Sequence, residues 1–294
     1  MNDNLKKIKA IIPPSEPHMV GDGFRVHNFF PSSRLIGSIG MSPFFLLDYN
    51  SKWYVPPSDK QRGVGVHPHR GFETVTIAYS GKIAHHDSAG NSGIISQGDV
   101  QWMTAGSGVL HKEYHEAEFS KSGGLLQMAQ IWINLPAKFK MVPAVYQAIE
   151  HMNMGKFIHD DKKSVIDIIA GEYKGIKGPA KTFTPVYAFN ARLQPDATAS
   201  FSFPENYNTG ILVIEGEAEI NETETAATDH FIYFSNEGED IRIKALNDCI
   251  LLVLSGEPID EPVVSAGPFV MNTEDEIRQA YEDFRKGLFG ELLE

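Results

Sequence analysis

The sequence predicts an all-β protein, two tandem β-barrels closed by one short C-terminal α-helix. Three observations carry that expectation. Apolar stretches are short and punctuated by 26 glycines and 17 prolines, the rhythm of brief strands and tight turns. Long 3.6-residue periodicity is nearly absent before the C-terminus. A strand–turn–strand pattern also recurs about half a chain apart.

The elements follow in order. Met1 to Lys9 carries Lys6, Lys7 and Lys9, but only Ala10-Ile11-Ile12 follows before Pro13-Pro14, too short for a signal-peptide core. Thr74-Val75-Thr76-Ile77-Ala78-Tyr79 reads as a strand, Ser80-Gly81 as a turn and Ile83-Ala84-His85 as its return. Ile211 to Ile220 repeats the pattern around Gly216, an offset of 216 − 81 = 135 residues, consistent with duplication of one barrel. Between the halves, the stretch from Asn134 to Pro143 loses the strand rhythm and holds two prolines, Pro136 and Pro143. A boundary is therefore expected near residue 140, giving domains 1–140 and 141–294. At the end, Thr273-x-x-Glu276 is a capping box, and Ile277, Tyr281, Phe284 and Leu288 fall at helical spacing before and around a Gly287 stop.

Composition excludes several classes of function. The formal charge of −12 opposes a polyphosphate backbone, and no Lys/Arg cluster interleaved with aromatics offsets it, so no direct nucleic-acid partner is expected. No stretch approaches the ~18 apolar residues of a membrane span, and a cytoplasmic protein is expected, nuclear as an alternative in a eukaryote. Cys249 is the only cysteine, which rules out an intrachain disulfide and thiolate metal clusters; its apolar setting reads as a buried, inert thiol.

The chemistry is concentrated in two short strings. In His67-Pro68-His69 the two imidazoles project to one face of a strand, and His111-Lys112-Glu113 repeats that i, i+2 geometry. Together they offer three histidines and one carboxylate, with open coordination positions for a first-row metal in redox or Lewis-acid work. An isolated HxH is often a surface pair, but glycine-rich turns precede both strings, at Gly63-Val64-Gly65 and at Gly98 and Gly106-Ser107-Gly108, as a small barrel requires.

These residues carry a resemblance. Gly65-x-His67-x-His69-x3-Glu73-x7-Gly81 is similar to the first cupin motif, and Gly98-x5-Thr104-x-Gly106-x4-His111 to a variant of the second, with Thr104 in place of the usual proline and a longer gap to His111. The fuller strings His67-Pro68-His69-Arg70-Gly71-Phe72-Glu73-Thr74 and Gln101 to Glu113 resemble pirin signatures. The likeness continues through Asn134 to Lys138, Ile169 to Glu172, and Gly256 to Asn272. It implies a bicupin of jelly-roll type with a mononuclear metal, most often Fe(II) but open to other divalent first-row ions, in the N-terminal barrel. The implied ligands are His67, His69, His111 and Glu113.

Resemblance also implies activity: opening of the flavonol quercetin at its 2,3 bond by O2, with loss of carbon monoxide. Glu113 is the expected proton acceptor, with Glu73 second. Glu73 shares the odd parity of His67 and His69 if no bulge intervenes, so it reads either as a partner orienting an imidazole or as an exposed strand glutamate. His85, His86 and His115 read as solvent-facing or satisfied, and His18, His27, His151 and His159 lie outside ligand-like spacing. The 135-residue offset sets Ser202, Pro204 and Asn208 opposite His67, His69 and Glu73, and His230 is the sole histidine beyond residue 160, so the second barrel is expected to hold no metal. A different reading is an iron-dependent regulatory protein that binds a transcription factor or metabolic enzyme with little turnover.

Overall fold

The computed structural model describes residues 4–293 and resolves two compact units, each built from a seven-stranded and a four-stranded sheet. The first barrel comprises residues 16–28, 44–151 and 259–293. Its large sheet runs in the order Val145–Ile149, Val100–Thr104, Phe72–Ser80, Gly124–Asn134, Phe44–Val55, Phe24–Phe30 and His18–Val20. Its small sheet runs Gly63–His69, Val109–His115, Ile83–Asp87 and Ser92–Ile95. Phe24, Val26, Val55, Ala78, Ile83, Ile95 and Leu126 join the two sheets in one apolar cluster.

The second barrel comprises residues 4–15, 29–43 and 152–258. Its large sheet runs Ile8–Ile12, Phe231–Phe234, Asn208–Glu215, Cys249–Gly256, Val186–Leu193, Val165–Ala170 and Gly155–Ile158. The predicted repeat is visible in the turns: Gly81 and Gly216 both sit at φ 85°, a conformation that glycine adopts without strain. The interior of this barrel is filled by Phe189, Phe201, Phe203, Ile211, Ile241 and Val253. Cys249 lies in the same core, and burial pushes its thiol up to about 12.

The units interleave, in contrast to the single cut expected near residue 140. Ile8–Ile12 pairs with Phe231–Phe234, so an N-terminal strand supplies the edge of the second barrel. Beyond the connector, Val145–Ile149 pairs with Val100–Thr104 and extends the first. Lys140 is buried within that connector, its Nζ donating to Gly71 O (2.8 Å), Asn134 Oδ1 (2.7 Å) and Val270 O (2.7 Å).

The C-terminal helix, Glu274–Arg285, carries the expected capping box, with Gly287 at φ 73° just past its end. It belongs to the first barrel, where Ile277 and Ala280 pack with Phe269, Met271 and Phe289, and Asp283 accepts from Arg70 at 2.9 Å. The expected apolar stripe is only partly used. Ile277 is buried, Tyr281 meets Phe269 edge-on, and Leu288 lies exposed beyond the helix. Among the described residues no helix is long and apolar enough to cross a membrane.

Candidate metal centre

Strand pairing brings the two histidine strings together. Val109–His115 runs antiparallel to Gly63–His69 with His111 opposite His67, and its buried side chains alternate as Val109, His111, Glu113 and His115. One ligand nitrogen from each of His67, His69 and His111 lies within 4.8 Å of the others. Their ring centroids are 4.2–4.7 Å apart.

The ring orientations suit a metal. His67 Nδ1 lies 2.8 Å from Gly65 O and His69 Nδ1 3.3 Å from Pro268 O; a carbonyl can only accept, so both rings carry their proton on Nδ1 and leave Nε2 with its lone pair. His111 Nε2 is buried with no hydrogen-bond partner, a placement that would be costly for a polar atom without a ligand. Burial, followed by the neighbouring imidazoles, holds His69 and His111 well below the usual histidine range, so these rings are neutral and able to donate. Three imidazoles beside a carboxylate fit a divalent first-row cation.

Glu113 is held in a fixed position near His111. Its Oε1 accepts from Thr76 Oγ1 at 3.0 Å and Gln101 Nε2 at 2.7 Å, and its Oε2 from Gln130 Nε2 at 2.6 Å. Thr76, Gln101 and Gln130 come from three adjacent strands of the large sheet and face the cluster together. One ligand atom from each of Glu113, His85 and His111 lies within 4.8 Å of the others.

Glu73 is not brought to this site. Gly71, at φ 87°, breaks the strand between His69 and Glu73, so the parity argument does not carry across. Beyond the break Phe72 contacts His69 and Thr76 bonds Glu113, whereas Glu73 points to the opposite face of the sheet and accepts from Thr104 Oγ1 at 2.7 Å. There burial pushes its carboxyl up to about 7.

The remaining histidines divide. His86 is exposed with Nδ1 at 2.6 Å from Tyr114 Oη, as expected, whereas His115 is buried, with Nε2 donating to Gly23 O at 2.9 Å and Nδ1 without a partner. His85 is satisfied by Asp87 but lies beside the cluster, with Nδ1 3.5 Å from His111 Nδ1. None of His18, His27, His151, His159 or His230 joins a candidate metal group among the described residues.

A cavity of about 240 Å³ opens on the imidazoles, lined by Val20, Phe24, Val26, Met128, Trp132 and Pro268 with polar contributions from Asp48, Gln130 and Glu113. Asp48 has no motif to announce it. It faces Gln130 across the strand pair, accepts from Asn28 Nδ2 at 2.7 Å, and has its carboxyl raised by burial against the bond from Asn28 and the nearby charge of His18. Trp132 meets His69 edge-on and stacks on Phe72, forming an aromatic wall.

Known proteins share these two domains. The family model described as pirin matches residues 23–133, and that of the pirin C-terminal cupin domain matches residues 188–290. A Pseudomonas aeruginosa protein named "Putative quercetin 2,3-dioxygenase PA2418" is 42% identical over 97% of this chain and 99% of its own. A tomato (Solanum lycopersicum) pirin-like protein is 37% identical over 85% of this chain and 82% of its own. The crystal structure of a quercetin 2,3-dioxygenase from Acinetobacter baumannii superposes with a TM-score of 0.92 at 44% identity, covering 98% of this chain and all (100%) of that one. With both domain models matched and full-length relatives above 40% identity, the chain belongs to the pirin family.

Proposed function

We propose that this protein is a metal-dependent dioxygenase that opens quercetin or a related flavonol at its 2,3 bond with O2, releasing carbon monoxide. Its metal, Fe(II) in this reading, would be held by His67, His69, His111 and Glu113. The observation that carries the proposal is the meeting of a three-imidazole cluster with an aromatic-walled cavity that also holds two carboxylates. Once bound, a divalent first-row metal supplies Lewis acidity and one-electron redox chemistry.

The chain's own residues do the rest. Trp132, Phe24 and the aliphatic wall take up a flat aromatic ring system and exclude water from it. At about 240 Å³ the cavity is somewhat below the usual ~300–1,000 Å³ of organic-ligand sites, so part of a three-ring flavonol rests at the mouth. Glu113, held by Thr76, Gln101 and Gln130, is the carboxylate beside the imidazoles and takes the proton of the substrate's 3-hydroxyl. Asp48, with one oxygen engaged by Asn28, receives a second phenolic hydroxyl and sets the ring orientation.

Metal-reconstituted protein supplied with quercetin should consume O2 and release carbon monoxide in saturable fashion. Stoichiometric metal with no quercetin-dependent uptake would overturn the reading and favour the regulatory one.

A further inference from the structure

We propose that Asp87 and His85 form a positioning relay behind the metal cluster that locks His111 in the tautomer with its lone pair on Nε2. The inference rests on the reading above that His111 binds metal through Nε2.

The three clustered imidazoles are oriented in two different ways. His67 and His69 each direct Nδ1 to a backbone carbonyl, which fixes the proton on Nδ1 without further help. His111 Nδ1 instead faces His85 Nδ1 at 3.5 Å, a long contact between two groups that can each donate or accept. Something further must decide which ring carries the proton.

Asp87 supplies that decision. His85 Nε2 lies 3.2 Å from Asp87 Oδ2, with both side chains buried. The carboxylate is itself immobilised: Oδ1 accepts from the backbone N–H groups of Ala89 and Asn91, and Asn91 Nδ2 reaches both oxygens. A carboxylate accepts, so the His85 proton sits on Nε2 and its Nδ1 lone pair faces His111. His111 then carries its proton on Nδ1, which leaves the buried, unpartnered Nε2 free to ligate.

The strands build the relay by simple parity. His85 and Asp87 are an i, i+2 pair, as are His111 and Glu113, and antiparallel pairing sets His111 opposite Asp87 and Glu113 opposite His85. Tyr146 stacks on His85 with centroids 5.0 Å apart and planes 20° from parallel, which fixes the ring from outside.

The test reads the metal-free full-length chain by long-range ¹H–¹⁵N NMR of its histidines, and Co(II) affinity by competition with a chromophoric chelator. Wild type should show His111 protonated on Nδ1. Asp87→Asn keeps the shape but can present an amide donor to His85, which should reverse the relay and move the His111 proton to Nε2. His85→Phe removes the acceptor and should leave His111 in a tautomer mixture. Both should bind Co(II) about 10–100-fold more weakly.

His85→Gln places a carbonyl toward His111 and an amide toward Asp87, so it should restore the tautomer and most of the affinity. An unchanged His111 tautomer in Asp87→Asn and His85→Phe would overturn the relay, as would affinities within twofold of wild type. Loss of Co(II) in His85→Gln with the tautomer intact would also overturn it, making His85 a ligand. Failure of wild type to bind Co(II) would remove the metal reading instead, while the tautomer measurement still decides the relay.

Discussion

Thr104 Oγ1 donates a 2.7 Å hydrogen bond to Glu73 Oε1, and the two side chains lie on the face of the large sheet opposite that of Thr76, Gln101 and Gln130. A glutamate that belongs to the first cupin-like motif by its spacing is therefore a buried acid away from the metal cluster. Its carboxyl is raised from 4.5 to about 7, chiefly by burial.

A pH-dependent cost follows. The folded chain binds the Glu73 proton more tightly than the unfolded chain, so stability falls as pH rises from about 4.5 to about 7 and stays lower above it. Glu73→Gln removes the ionisation while keeping a carbonyl acceptor for Thr104. At pH 8 the variant should be more stable than wild type by up to about 3 kcal/mol, and the gain should shrink toward pH 5. Urea midpoints at the two pH values measure this; an equal difference at both would show that Glu73 ionises freely.

The metal site should be single. Wild type should bind one equivalent of a first-row metal, and the His67→Ala, His69→Ala double variant should lose most of it while keeping the far-UV circular dichroism of an all-β fold. The 135-residue offset sets Ser202 and Pro204 opposite His67 and His69, and the second barrel packs its interior with phenylalanine and isoleucine. Elemental analysis showing full metal content in the double variant would place the ion elsewhere.

Lys140 ties the connector to two distant segments. Burial pulls its ammonium down to about 7, with Glu276 and Glu261 acting in the other direction, yet its three acceptors match the three N–H groups of the charged form. Lys140→Met keeps the length but leaves Gly71 O, Val270 O and Asn134 Oδ1 without that donor. A loss of about 3 kcal/mol is expected from chemical denaturation, from unsatisfied buried acceptors costing about 1–3 kcal/mol each with partial relaxation. A loss under about 0.5 kcal/mol would mean that water replaces the ammonium.

Much of this was legible in the residues because strand parity is local. His67 and His69, or His111 and Glu113, share a face through two peptide units, and no tertiary information is needed to pair them. Glu73 failed the same test because Arg70-Gly71 ends one strand and starts another in a different sheet, a break hidden when only numbers are counted. The grip on Glu113 was illegible for another reason. Thr76, Gln101 and Gln130 converge only once the register of three strands is set, and no short motif records it. The exchanged edge strand was equally hidden, since Ile8–Ile12 pairs with a strand more than 200 residues away.

The two carboxylates of the cavity should separate by kinetics. Glu113 meets three donors, so Glu113→Gln brings an amide N–H against at least one of Gln101, Gln130 and Thr76 and loses the basic oxygen as well. Metal content should fall partly, and flavonol-dependent O2 uptake per bound metal should fall by roughly 10²–10⁴-fold, the usual worth of a positioned base. Asp48 stands away from the three-imidazole group, on the cavity wall beside Asn28. Asp48→Asn retains hydrogen-bonding capacity but loses the charge, so metal content should hold, kcat should change by less than about threefold, and KM should rise about tenfold, the scale of one charge-assisted hydrogen bond. Uptake per metal equal to wild type in Glu113→Gln would remove Glu113 as the proton acceptor. A kcat collapse in Asp48→Asn with KM unchanged would move that role across the cavity to Asp48.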